Sequence, residues 1–308
     1  MRSPSFFRRL ALVLVTAAGM VACTGKDGDA PGGGASPGKT IGVSLLTMTN
    51  PFFKEMADAM EAEGKKRGFE VLVTAGELDP ARQRGQVQDF LVRKVSAIVL
   101  SPCDSKAVGT SIAEANAAGI PVFTADIAAR SGKVVTHVAS DNVQGGRLAA
   151  QAMAERLGGT GEVLIIDHPT VASVQDRVRG FEEEMRKHPG IRIVGRPSSD
   201  GQRARAMAVM EDMLQAHPTL KGVFGINDDS ALGATAVLDA AGRTDIVVIG
   251  YDATEEAQAA IRSGGPLKAD VVQYPRRIGR TAIEMIARHL AGDEVPAVVP
   301  IDVGLWTK

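Results

Sequence analysis

Ala97-Ile98-Val99-Leu100 is an apolar run with no polar position in it, and Ile246-Val247-Val248-Ile249 repeats the pattern 149 residues later. A strand with one face in water alternates apolar and polar side chains. An unbroken run belongs to a strand covered on both faces, as in a parallel sheet layered between helices. Working outward from these two runs, strands are expected at residues 40–45, 70–74, 97–100, 121–125, 134–138, 162–166, 192–194, 222–226, 245–250 and 269–273. Helical stretches stand between them, at 53–67, 82–94, 107–118, 144–157, 173–187 and 204–216. Val87, Phe90 and Leu91 share one helical face, while Gly68, Gly119 and Gly242 mark helix ends. Repeated βα units with right-handed crossovers predict a doubly wound α/β sheet.

Ten strands exceed what one such sheet usually holds, and 308 residues suit two lobes of roughly 100–150 residues each. The expected fold class is therefore α/β, with two doubly wound parallel-sheet lobes joined by a multi-strand hinge. The chain crosses between lobes at Asp141-Asn142, where the strand at 134–138 gives way to a long helix, and again near Gln273 to Pro275. The apolar tail, residues 298–305, returns to the second lobe. These crossings assign 39–140 plus 274–302 to an N-terminal lobe and 141–273 plus 303–308 to a C-terminal one. Ser140, Asp141 and Tyr274 are the expected hinge residues.

The first 22 residues read as a signal peptide: Arg2, Arg8 and Arg9 precede an apolar run from Leu10 to Ala22 that is too short to span a bilayer. Met20-Val21-Ala22-Cys23 resembles a bacterial lipobox, which makes Cys23 the lipid-bearing first residue of the mature chain. Ordinary cleavage near Ala18 or Ala22 is the alternative, leaving Cys23 a free thiol. Residues 23–38, with six glycines and two prolines after Cys23, read as a flexible tether. Without the three leader arginines, 32 basic residues face 36 acidic ones, a net charge near −4. That balance excludes a nucleic-acid partner. Cys103 then has no partner for a disulfide and reads as a packed small residue.

Ligands of open α/β sheets bind beyond the carboxyl ends of the strands, so the polar residues just after each strand carry the chemistry. They are Asn50 with Phe52 and Phe53, then Asp126, Asn227, Asp252 and Gln273, together with Arg177 early in a helix. A neutral polyhydroxylated ligand needs this mixture: carboxylates accept hydroxyl protons, whereas Asn, Gln and Arg donate to its oxygens. Phe52 and Phe53 offer apolar faces to the C–H side of a sugar ring. Each residue also has a plainer reading. Asn50 and Asn227 suit helix N-caps, Asp126 and Asp252 suit turns, the phenylalanines suit core, and Arg177 could pair with Glu182 or Glu183 on a solvated face. Their joint arrival at strand ends is what core packing does not demand. The five histidines are scattered singly, with no G-x-S-x-G, Walker loop or H-E-x-x-H, so neither metal, cofactor nor catalysis is expected. Met207, Met210 and Met213, at helical spacing, read as core filler.

Ile41-Gly42-Val43 through Thr49-Asn50-Pro51-Phe52-Phe53 resembles the opening of the ribose-binding-protein family of ABC-importer receptors. His137-Val138-Ala139-Ser140-Asp141-Asn142 with Gly145-Gly146 resembles that family's first hinge crossing, and Asn227-Asp228, Ala231-Leu232-Gly233-Ala234 and Gly250-Tyr251-Asp252 resemble its second-lobe signatures. The resemblance runs from about Thr40 to Lys308 and implies a monomeric, type I periplasmic binding protein. It further implies ligand contacts at the eight residues named above, and delivery of a small sugar or polyol to a membrane permease. Presentation to a chemoreceptor or sensor kinase is the alternative. Three positions depart from the ribose pattern: Leu46 replaces a serine, Ile127 an arginine, and no aromatic cover stands near Asp200-Gly201. These changes alter hydrogen bonding and cleft shape, which broadens the expected ligand to a sugar, sugar alcohol or related polar molecule. Asp167, His168 and Thr170 are near enough to replace lost contacts, and otherwise read as surface loop. A transcriptional regulator of the same fold is excluded by the signal peptide and glycine tether where a DNA-binding helix pair would stand.

Overall fold

A computed structural model describes residues 39–308. The leader, Cys23 and the tether at 23–38 lie outside the described residues. The first lobe is built from β1 (Lys39–Leu45), α1 (Pro51–Lys66), β2 (Phe69–Ala75), α2 (Pro80–Arg93), β3 (Ala97–Leu100), α3 (Gly109–Ala117), β4 (Val122–Ala125) and β5 (His137–Ser140). The second opens with α4 (Asn142–Leu157), β6 (Thr160–Ile166), α5 (Ala172–Met185), β7 (Gly190–Gly195) and α6 (Arg203–Ala216). It continues through β8 (Leu220–Gly225), α7 (Asp228–Ala240), β9 (Val247–Asp252), α8 (Glu255–Ser263) and β10 (Leu267–Val272). The chain then returns to the first lobe with α9 (Pro275–Leu290) and β11 (Val298–Ile301), and to the second with β12 (Gly304–Thr307).

Each lobe holds a six-stranded sheet, in the orders β11-β5-β4-β3-β1-β2 and β12-β10-β9-β8-β6-β7. All pairings are parallel except β10 with β12, so the architecture is two doubly wound α/β lobes. The run 97–100 behaves as its composition requires. Ala97 and Val99 pack toward Met56, Met60 and Ile283 of α1 and α9, whereas Ile98 and Leu100 pack toward Val87, Phe90 and Ile112 of α2 and α3. All four strand residues are fully buried. In the second lobe Ile246 and Val248 face one core and Ile249 and Tyr251 the other.

Local chemistry sets the element ends. Asn50 and Asp79 each accept a backbone N–H at the start of α1 and α2, and Pro51 and Pro80 fill the first helical positions, where a missing N–H costs nothing. The strand expected at 134–138 begins later, because Val135 and Thr136 make only single bonds to β4 and the regular ladder with β11 starts at His137. Met210 is fully buried, but Met207 turns outward at 37% exposure and is not core. The three crossings lie side by side. The Asp141 N–H donates to the Ile301 carbonyl at 2.9 Å, and a Cβ on Gly304 would lie 3.5 Å from the Tyr274 hydroxyl. Ser140 ends β5, Asp141 caps α4 through a 3.0 Å bond from the Gln144 N–H, and Tyr274 directly precedes α9.

Candidate ligand-binding site

The carboxyl ends of both sheets face one cavity. Asn50, Phe52, Phe53 and Asp126 line it from the first lobe, and Arg177, Asn227, Asp252 and Gln273 from the second. All eight sequence-selected residues thus come together around it. The two asparagines serve as caps as well: Asn50 Oδ1 accepts from the Phe52 N–H at 2.8 Å, and Asn227 Oδ1 from the Ser230 N–H at 2.9 Å. Asn227 also spends an amide N–H on the Gly201 carbonyl at 3.0 Å. Phe52 and Phe53 are 4% and 5% exposed and meet edge to face at 5.2 Å, so core and cavity wall are one role here.

Two carboxylates are aimed by unusual backbone. Asp126 has φ 64°, and Asp252 and Ala253 have φ 125° and 55°, in a region that side-chain-bearing residues seldom occupy. Such conformations persist only where the surroundings enforce them, and they gather at functional sites. Asp252 Oδ1 accepts from Gln273 Nε2 at 2.7 Å, while Gln273 Oε1 and Asp126 Oδ1 are buried without a hydrogen-bond partner.

Arg177 is fixed from three sides. Its Nε donates to Asn142 Oδ1 at 2.9 Å, its Nη1 to the Ile226 carbonyl at 2.8 Å, and its guanidinium carbon lies 3.9 Å from the Tyr251 ring centroid. Tyr251 in turn donates to Asn142 Oδ1 at 3.2 Å. Close packing of α4 on α5 makes this possible: a Cβ on Gly146 would fall 1.9 Å from the Arg177 carbonyl, and one on Gly145 2.1 Å from the Tyr251 hydroxyl. Arg177 does not pair with Glu182 or Glu183, which bind Arg196 and Arg147 instead.

Burial governs the electrostatics. It pushes the Asp126 carboxyl up to about 6, with Arg177 pulling the other way. Burial, with the charge of Asp228 added, holds Asp252 well above the usual carboxylate range. Burial pushes the phenol of Tyr251 up and the imidazole of His168 down. One cation against two carboxylates, in little water, suits a neutral ligand whose hydroxyls donate to the acids.

His168, like Ser173, is a polar lining residue that stood outside the eight. It is 6% exposed, and its ring lines the cavity near Gly201, whose Cβ position lies 3.2 Å from His168 Nδ1. Asp167 is equally buried but spent on Arg196 at 2.9 Å and on the His168 N–H, so neither residue is surface loop. Leu46 and Ile127 line the cavity with apolar groups. Cys103 is buried, and desolvation pushes its thiol up to about 12, which suits an inert packed group. The lobes also touch at the rim. The Ser105 N–H donates to the Thr170 carbonyl at 3.1 Å, the Ala172 N–H donates to Ser105 Oγ at 2.9 Å, and Arg130 Nη2 donates to Gln175 Oε1 at 2.5 Å. Among the described residues no group of His, Cys, Asp and Glu is arranged to hold a metal ion, and no helix is long and apolar enough to cross a membrane.

A family model described as a periplasmic binding protein domain matches residues 41–294. The chain is 37% identical over 270 residues to a ribose import binding protein of Bacillus subtilis (strain 168), covering 87% of each. A solved ABC transporter solute-binding protein from Mycobacterium smegmatis, with bound glycerol, matches with a TM-score of 0.83 at 38% identity, over 88% of this chain and 94% of that one. Another from Bacillus halodurans, with bound myo-inositol, gives 0.83 at 28% identity, over 89% and 96%. These relatives are binding proteins of transporters, not enzymes. With the cleft residues and strands β2 to β10 inside the matched span, the chain belongs to the periplasmic binding protein family.

Proposed function

We propose that this protein captures a neutral small sugar or polyol between its lobes and delivers it to the membrane permease of an ABC importer. The observation that carries this reading is the convergence of eight side chains from two lobes on one cavity. Asp126 and Asp252 accept ligand hydroxyl protons, and Arg177, Gln273 and the amide of Asn50 donate to ligand oxygens. The names of relatives, which include receptors for ribose and xylitol and structures with glycerol and myo-inositol, support a polyhydroxylated ligand. Leu46 and Ile127 set its shape apart from the ribose pattern. The hinge at Ser140, Asp141 and Tyr274 lets the lobes part, and ligand populates the closed form by its difference in affinity for the two states. Cys23 carries the lipid that anchors the exported, monomeric protein to the bacterial membrane.

A thermal-shift screen against pentoses, hexoses, sugar alcohols, nucleosides and amino acids tests the ligand class. A binder at a hundredfold excess over Kd adds about 2.7 kcal/mol of stability. The expected result is a shift with a sugar or polyol that Asp252→Ala reduces by tenfold or more in affinity, the cost of leaving buried partners unpaired. A shift only with a nucleoside or amino acid overturns the sugar reading. For the anchor, Cys23→Ala should move the protein from the membrane fraction to the soluble periplasmic fraction, and unchanged partitioning rejects lipidation.

A further inference from the structure

Behind the cleft wall of the second lobe two carboxyl groups meet out of reach of water. Asp270, within β10, is 0% exposed, and Asp228, which opens α7, is 2% exposed. Each holds the backbone that follows β9. Asp270 Oδ1 accepts from the Ala253 N–H at 3.0 Å, and Asp228 Oδ2 accepts from the Thr254 N–H at 2.7 Å and from its hydroxyl at 2.5 Å. The two remaining oxygens, Asp228 Oδ1 and Asp270 Oδ2, find no N–H or hydroxyl donor, yet the two side chains stand within hydrogen-bonding reach of each other. Two ionised carboxylates can only accept. Contact between them in a dry interior requires a proton on one.

We propose that Asp270 keeps its proton at neutral pH, donates it in a hydrogen bond to Asp228, and that this pair positions the 252–254 turn so that Asp252 points into the cleft. The turn needs such support, since Asp252 and Ala253 both have positive φ. The nearby negative charges favour a proton on the pair: Asp229 follows Asp228 on α7, Asp252 lies on β9, and Asp126 stands beyond Asp252, with the Arg177 cation there pulling the other way. Burial and the negative charges of Asp228 and Asp252 raise the affinity of Asp270 for its proton. Relevance to ligand rests on the cleft reading above; the chemistry of the pair does not.

Three measurements test this without any ligand. Infrared spectra of the purified protein at pH 8 should contain a carboxylic-acid C=O band that is missing from Asp270→Asn. That variant can still accept from Ala253 and donate its amide to Asp228, so it should keep slow hydrogen exchange at the Ala253 and Thr254 amides, whereas Asp270→Leu should lose at least tenfold in protection. Asp228→Asn, whose amide can donate to an ionised Asp270, supplies a second variant with the same expected outcome as Asp270→Asn. Between pH 5 and 9 the wild type should lose stability relative to Asp270→Asn, by up to about tenfold in the unfolding constant per pH unit for the one retained proton. A wild-type spectrum without the acid band, both asparagine variants as unprotected as Asp270→Leu, or parallel pH curves overturns the proposal. A silent sugar screen changes none of these outcomes.

Discussion

Arg177 Nη2 and Asp126 Oδ1 face each other from opposite lobes at 4.0 Å, with side chains 5% and 3% exposed. That distance is too long for a hydrogen bond and short enough for one ligand hydroxyl to serve both groups. Arg177 is already held by Asn142, Ile226 and Tyr251, whereas Asp126 Oδ1 has no partner. The cation is preorganised and the anion is the side with unmet demand.

Asp126→Asn should therefore separate stability from binding. The folded-state carboxyl is raised to about 6, so its contribution to stability is full below the unfolded value and is lost as pH rises through about 6. Above pH 6 the ligand-free variant should melt higher than the wild type, by about 1–3 kcal/mol in stability. It should also bind the sugar or polyol found in the screen at least about tenfold more weakly, because a hydroxyl proton loses its charged acceptor. Wild-type affinity should itself fall as pH drops below about 6 and Asp126 takes up a proton. Melting curves and calorimetric titrations from pH 5 to 8 check both signs.

Arg177→Lys keeps the charge and loses the geometry. An ammonium cannot hold Asn142 Oδ1 and the Ile226 carbonyl together while lying flat on Tyr251. We expect a loss of about 2–4 kcal/mol in stability, from buried partners left unpaired, and weaker binding in the same variant. Chemical denaturation gives the first value, and an unchanged midpoint would show that the guanidinium geometry is not needed.

Ser105→Ala tests closure apart from ligand contact. Ser105 does not line the cavity, yet its Oγ accepts the Ala172 N–H across the lobes. Losing that bond, worth about 0.5–1.5 kcal/mol, should weaken binding about two- to tenfold. The loss should appear as faster ligand release, with the unliganded protein more open by small-angle scattering. A change in association rate alone would contradict it.

Gly146→Ala probes the helix pair that carries Arg177. The new Cβ would meet the Arg177 carbonyl at 1.9 Å, which is backbone and cannot swing aside. α4 and α5 must separate, at a cost of about 2–4 kcal/mol. Gly158→Ala, at a helix end with φ 62° but nothing near its Cβ position, is the comparison, and it should lose about 1 kcal/mol.

The fold was legible because the buried strands are four to seven residues long and almost purely apolar, a pattern that two covering helix layers impose. Seven of the eight cavity residues were legible because each ends or follows a strand or opens a helix, where a local sequence reading has a geometric rule to apply; Arg177 lies more than a turn into α5. The packing around Arg177 was not. Asn142 and Tyr251 come from segments 109 residues apart, and their meeting depends on how closely α4, α5 and β9 approach. Asp270 did leave a signal, a lone carboxylate inside Ala269-Asp270-Val271-Val272, but its partner on α7 is visible only in three dimensions. His168 lies in a loop, where no periodicity says which side chains turn inward.

The strand order of the two sheets has a consequence for how the chain reaches this state. β11 is paired with β5 at one edge of the first sheet, and β12 closes an edge of the second, so both sheets draw a strand from the last eleven residues. α9, which covers β4 and β5, is also made late. A ribosome must therefore release nearly the whole chain before either core can be completed. Contacts between such distant segments form slowly, since the intervening loop must close first. The interval leaves an extended polypeptide available to machinery that acts on threads and not on globules.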